Sequence, residues 1–253
     1  MATKKTRHLL LLVLQFMITI VYGATIAHMT VVLFDGGKEI FLSGLIGYLS
    51  QLIILVSSLI PQIVLRVKKK LHSQDGEIYP LLFTMISLQS TLVIPKYSLI
   101  TGIYFVDTSV LVVLIRFSML GTAAIFLLSA LRFYGFASSR LHLYTSLILG
   151  MAFVFCFIAP QNTVSMENIL FSSIYDAYLN LISLLLYIAT ILTMIITAIK
   201  DKTAANIKRC ISFILLISGL CLSVSETLIP TIVSSVLYIT GIILLVSSTQ
   251  ESF

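Results

Sequence analysis

Arg116 stands inside an apolar run, with Val110-Leu111-Val112-Val113-Leu114-Ile115 before it and Phe117-Ser118-Met119-Leu120 after it. An ionisable side chain in such a run is costly in hydrocarbon and faces a bundle interior or a polar cavity. A guanidinium there can contact an anion or another ligand, or act as a gating charge. It can equally be half of a structural ion pair, or reach the outer interface on its long stem. Ser109, Ala123 and Ala130 share its helical face at heptad spacing, small residues that let a neighbouring helix approach. If Arg132 marks the inner membrane edge, the sixteen residues between them put Arg116 about 24 Å above it, in the outer third of the bilayer.

A second polar feature runs from Asp176 through Asn180, Ser183, Tyr187 and Thr190 to Thr197, at offsets of 4, 7, 11, 14 and 21 that keep all six on one helical face. Counting back from Lys200, Asp176 falls at a depth comparable with Arg116. The expectation is that Asp176 and Arg116 pair across the outer half of a bundle and close or line a small polar cavity. Arg116, Asp176, Asn180 and Tyr187 are therefore the candidate ligand or ion-pair residues. The alternative is that the stripe only hydrogen-bonds one helix to another, as Ser, Thr and Asn commonly do in membranes.

Other chemistry leaves no trace. HExxH, GxGxxG and P-loop patterns are missing, and His8, His28, His72 and His142 lie on different segments. No catalytic residue, metal or cofactor is expected. Cys156, Cys210 and Cys221, odd in number and without a CxxC pair, read as packing residues.

The elements that must position these residues follow from composition. Of 253 residues, 58% are hydrophobic and only 10% charged, and Trp is absent. Soluble domains carry about 25% charged residues, so this chain lacks the polar surface for water. Mean hydropathy is +1.09. Crossing about 30 Å of hydrocarbon takes about 20 apolar residues per helix, and eight stretches approach that: 9–33, 40–66, 79–98, 107–132, 142–160, 169–199, 210–226 and 228–248. They are continuous rather than alternating at period two, which favours helices over a barrel. The expectation is a single all-α membrane domain over 1–253, a bundle of about eight spans. Gln51 and Ser58 share a face of the second span with Gly44 and Gly47, Gln15, Thr19 and Tyr22 share one of the first, and Gln89 lies mid-membrane in the third.

Thirteen of the sixteen Lys and Arg fall on one side of this eight-span pattern; Lys38 and Lys96 fall on the other, and Arg116 inside. The positive-inside rule then makes both termini cytoplasmic, in the cell membrane. The first span also has the charged start and apolar stretch of a secretory signal, and its cleavage would leave seven helices. The net charge of +6 is spread over rims, without the stripe that nucleic acid requires. Lys68-Lys69-Lys70 can meet anionic headgroups of the lipid bilayer, or simply anchor the topology.

From about Gly44 onward the order of elements resembles the seven-helix membrane module of bacterial receptors with diverse intracellular signalling modules. The resemblance rests on Ile63-Val64-Leu65-Arg66, on the basic loop entering Ile78-Tyr79-Pro80-Leu81-Leu82, on Arg116 followed by Leu131-Arg132-Phe133, and on the turn from Lys200-Asp201-Lys202 to Lys208-Arg209. That family flanks its helices with an external ligand-binding domain and an intracellular output domain. This chain has an extra first helix and ends on Ser248-Thr249-Gln250-Glu251-Ser252-Phe253. The resemblance implies a sensor that signals through a separate cytoplasmic or membrane partner. The competing expectation is a small-solute transporter or permease subunit, although the two halves share no repeat of the kind many carriers show.

Overall fold

The computed structural model describes the backbone of residues 2–36, 38–68, 74–104, 106–135, 141–159, 174–223 and 228–249. Within these it describes the side chains of 6–35, 48–68, 78–95, 97–104, 106–135, 143–159, 176–223 and 229–249. The described chain is an all-α bundle: α1 (Ala2–Gly36), α2 (Lys38–Val67), α3 (Gln74–Gln89), α4 (Val93–Thr101), α5 (Thr108–Tyr134), α6 (Leu141–Ile158), α7 (Ile174–Lys200), α8 (Ala204–Leu222) and α9 (Leu228–Ser248). Seven spans are long and apolar enough to cross a membrane, α3 and α4 together forming one of them, and α6 adds a shorter apolar stretch over Leu143–Ile158.

Six of these spans close a ring in which α2, α9, α8, α7, α5 and α3 each pack on the next, and α3 packs back on α2. Ile54, Tyr79, Phe83, Phe126, Phe213 and Tyr238 fill its centre. Phe126 meets Phe213 edge-on with ring centres 5.4 Å apart and Tyr187 at 5.9 Å, geometries that suit the aromatic quadrupole. The two remaining helices lie outside: α1 rests on α2, α3 and α4, and α6 on α5. Burial follows this arrangement, 72% of the apolar window of α5 being buried against 17% for α1.

Local chemistry sets where the helices stop. Asp107 accepts from the Ser109 amide at 2.7 Å and so caps α5. Gly135, with φ +112°, ends α5 by donating its amide to the Arg132 carbonyl. Thr203 caps α8 through the Asn206 amide, so the helix starts at Ala204 rather than near 210, and Lys208 and Arg209 lie inside it. The third span is interrupted by a tight turn over Ser90–Leu92. Pro95, in the first turn of α4, has no amide hydrogen and its ring clashes with the carbonyl four residues back, that of Thr91, which accounts for the break. The Thr91 hydroxyl there meets the Tyr22 hydroxyl of α1 at 2.6 Å.

The basic residues converge on one end of the bundle. Lys200 lies 5.0 Å over the Tyr134 ring, and the Arg209 guanidinium 4.8 Å over Phe133, which brings the end of α5, the end of α7 and the start of α8 together. Lys68 is exposed where α2 ends, while Lys69, Lys70, Arg140, Glu167, Glu226 and the Gly44 and Gly47 face lie outside the described side chains.

The last two helices pack most closely, and two glycines allow it. A Cβ on Gly219 would lie 3.0 Å from the Ser234 carbonyl oxygen and 3.1 Å from the Tyr238 backbone nitrogen, and one on Gly241 would lie 2.9 Å from Leu216 Cγ and 3.2 Å from the Leu216 backbone nitrogen. Both positions thus face backbone of the other helix, which cannot give way. Gly219→Ala and Gly241→Ala should therefore each lower the unfolding temperature in detergent, with an overpacking cost of about 1–3 kcal/mol. An unchanged unfolding temperature in either variant would contradict this contact geometry.

Candidate functional site

In α5 Arg116 is buried among Val112, Val113, Ile115 and Leu120, one side of a helix whose opposite side meets α3. Its Nε donates to Asp176 Oδ1 at 2.6 Å, and the two side chains are 5% and 6% exposed. Asp176 lies in the first turn of α7, where the positive end of the helix dipole favours a carboxylate. Arg116 Nη1 also donates to the Ala159 carbonyl at 3.4 Å, just beyond the end of α6. The carbonyls at a helix C-terminus lack partners within the helix and attract a cation. One guanidinium thus joins three helices, α5 to the end of α6 and to the start of α7.

A void of about 20 Å³ adjoins the pair, lined by Arg116, Asp176, Asn180 and Ser183 on its polar side and by Val112 and Leu179 among its apolar walls. One water requires about 10–15 Å³ by this measure and two to four polar partners, so the space suits one water. Below it, Cys156 and Ala152 of α6 pack with Val113 and Leu120 of α5 and Leu179 of α7.

Of the sequence candidates, Arg116, Asp176 and Asn180 come together here. Tyr187, two turns deeper than Asn180, does not reach this void: it is buried and packs on Phe126. Thr190 and Thr197 are buried and donate to the Leu186 and Thr193 carbonyls of their own helix. Among the described residues no three His, Cys, Asp or Glu gather in a metal-binding group.

A separate polar cluster lies near the basic end. Gln62 of α2 donates through Nε2 to Gln15 Oε1 of α1 and, at 3.1 Å, to the Pro80 carbonyl of α3, and all three residues are buried. That carbonyl accepts twice, because the Thr84 hydroxyl, one helical turn further along α3, donates to the same oxygen at 2.6 Å. Earlier along α2, Ser58 meets the Tyr238 hydroxyl at 2.6 Å and Ser50 meets Ser234 at 3.2 Å. Sequence reasoning noted Gln15 and Ser58 but passed over Gln62, although it stands one helical turn beyond Ser58 and shares its face.

No family model, curated protein or solved structure matches the chain.

A buried pair that loses one partner leaves a stranded charge, at a cost of about 3–5 kcal/mol, whereas replacing both by apolar residues is nearly neutral. Arg116→Leu and Asp176→Leu should each reduce folded yield and thermal stability, and the double variant should recover most of the loss. Additive losses in this double-mutant cycle would show that the two side chains are not coupled.

Proposed function

We propose that the protein is a sensor-like or partner-dependent subunit of the cell membrane, with both termini cytoplasmic, rather than a self-sufficient carrier. The observation that carries this reading is the size of the void at the charged pair buried between α5 and α7. Ligand pockets run to about 300–1,000 Å³, and about 20 Å³ beside Arg116 and Asp176 leaves room for water alone. Deeper along the polar stripe of α7, Thr190 and Thr197 bond to their own helix, so these groups are satisfied without a passage to line.

The interrupted span supports the same choice. Carriers use broken helices to turn free backbone groups toward a substrate near the midplane. Here the break at Ser90–Leu92 is packed, with the Thr91 hydroxyl donating to the Leu88 carbonyl and engaged with Tyr22. The convergence of Lys200 and Arg209 on one end agrees with a cytoplasmic rim. The likeness of the element order to the seven-helix receptor module supports a signalling role exercised through a separate partner.

The reading is tested by pairing two measurements on the full chain. Reconstituted alone in vesicles, it should move no solute from a panel of ions, amino acids and sugars, and crosslinking in native membranes should capture a defined partner at fixed stoichiometry. Flux by the protein alone that disappears in Arg116→Ala, with no partner captured, would replace the proposal by a transporter.

A further inference from the structure

The two outer helices flank a space that neither fills. α1 packs on α2, α3 and α4, and α6 on α5, and among the described residues no substantial α1 to α6 packing closes the gap between them. The slot so formed has a volume of about 190 Å³. Its walls are mostly apolar, with Leu11 from α1, Leu81 from α3, Leu128 from α5 and Leu149 from α6, and it carries Arg7, Thr145 and Ser146 as polar residues. An apolar cavity many times larger than the about 10–15 Å³ of a single water does not hold ordered water without polar partners. In a bilayer the chemistry that surrounds such a slot is hydrocarbon.

We infer that this slot is a binding site for one anionic glycerophospholipid, with a segment of one acyl chain lying between α1 and α6, the rest of the lipid outside in the bilayer, and the phosphate meeting Arg7. The charge at this end selects the headgroup. Arg7, Leu81 and Ser146 each lie within about two turns of the start of α1, α3 and α6, so the slot opens near the basic end. By sequence position that end carries thirteen Lys and Arg against the four acids Asp75, Glu77, Asp201 and Glu251. The guanidinium fork matches a phosphate with two parallel hydrogen bonds, and basic pockets between membrane helices recognise anionic headgroups. A choline headgroup brings its own cation into this field and loses the attraction.

The site differs from the exposed Lys68 rim in having walls, which makes the two distinguishable. The full chain, purified in a mild detergent, is offered equal amounts of phosphatidylglycerol and phosphatidylcholine, and retained lipids are counted by native mass spectrometry. One phosphatidylglycerol per chain should be retained in preference to phosphatidylcholine. Arg7→Gln should weaken its retention about five-fold, the factor corresponding to about 1 kcal/mol for one basic residue near an anionic surface. Lys68→Gln should leave it within about two-fold, since Lys68 does not line the slot. Ser146→Trp should fill the slot and abolish retention while leaving Arg7 in place; Ser146 is exposed, so the larger side chain does not disturb the buried core. Equal retention of both lipids, equal effects of Arg7→Gln and Lys68→Gln, or undiminished retention in Ser146→Trp would each overturn the proposal.

Discussion

A guanidinium in hydrocarbon is tolerable only where protein groups replace the water it gives up, and that requirement at Arg116 organises the half of this bundle away from its basic end. The side chain takes a partner from each of two neighbours of α5: the Asp176 carboxylate from α7 and the Ala159 carbonyl from the end of α6. Both come from helix ends whose backbone charge has the sign to match, a carboxylate at an N-terminus and a carbonyl at a C-terminus. Because the contact distances are those of hydrogen bonds, the rotation and height of α7 against α5 are fixed at that level. An error of one residue would rotate Asp176 by about 100° away from the interface. The apolar contacts below, among Val113, Leu120, Cys156 and Leu179, then follow from a register already set.

The same requirement acts more gently elsewhere. Apolar side chains do not separate a helix from lipid, since both sides are hydrocarbon, so close packing and hydrogen bonds must bring helices together. Each such bond is worth only about 0.6–2 kcal/mol, and the bundle therefore uses several. α2 bonds α9 through Ser50 and Ser58, and α1 and α3 through Gln62 one turn further on. Small residues shorten the distance as well: a Cβ on Gly219 would lie 3.0 Å from the Ser234 carbonyl oxygen, whereas one on Gly121 would make only ordinary contact with Leu149 at 3.4 Å and Met85 at 3.5 Å.

Charge and hydropathy made the all-α architecture and the approximate spans legible in the sequence, because a residue that cannot lie in lipid announces itself by type. Arg116, Asp176 and Asn180 were readable for the same reason, and the helical period put the last two on one face. The centre and periphery of the bundle were not readable. α5 and α1 have the same mean hydropathy of 2.3 in their apolar windows, yet one is central and the other is not. Facing protein and facing lipid demand the same residue types, so the distinction lies in packing partners that no single segment contains. Helix ends were obscured for a different reason. Hydropathy marks where lysine and arginine become tolerable, but Lys208 and Arg209 can sit within α8, the guanidinium of Arg209 reaching the Phe133 ring and the side-chain oxygen of Asn206. Pro95 lay in view near the end of a predicted span, and only the longer helical segment of the structure turns it into the cause of an interruption.

The outer helices differ from the ring in how they are held. α6 packs on α5 through Leu149 and Phe153, shares an apolar cluster with α5 and α7 through Ala152 and Cys156, and meets Arg116 at its far end. Segments with few buried contacts open at lower free energy than the core of the same protein. A displacement of α6 therefore bears on the buried ion pair as well as on the contacts of Ala152 and Cys156 with Leu179. Asp176 carries the same pair onto α7, which runs on to Lys200 at the basic end. Arg116 thus adds charged contacts that hold α6 and α7 to α5, where apolar contacts alone do not distinguish protein from lipid.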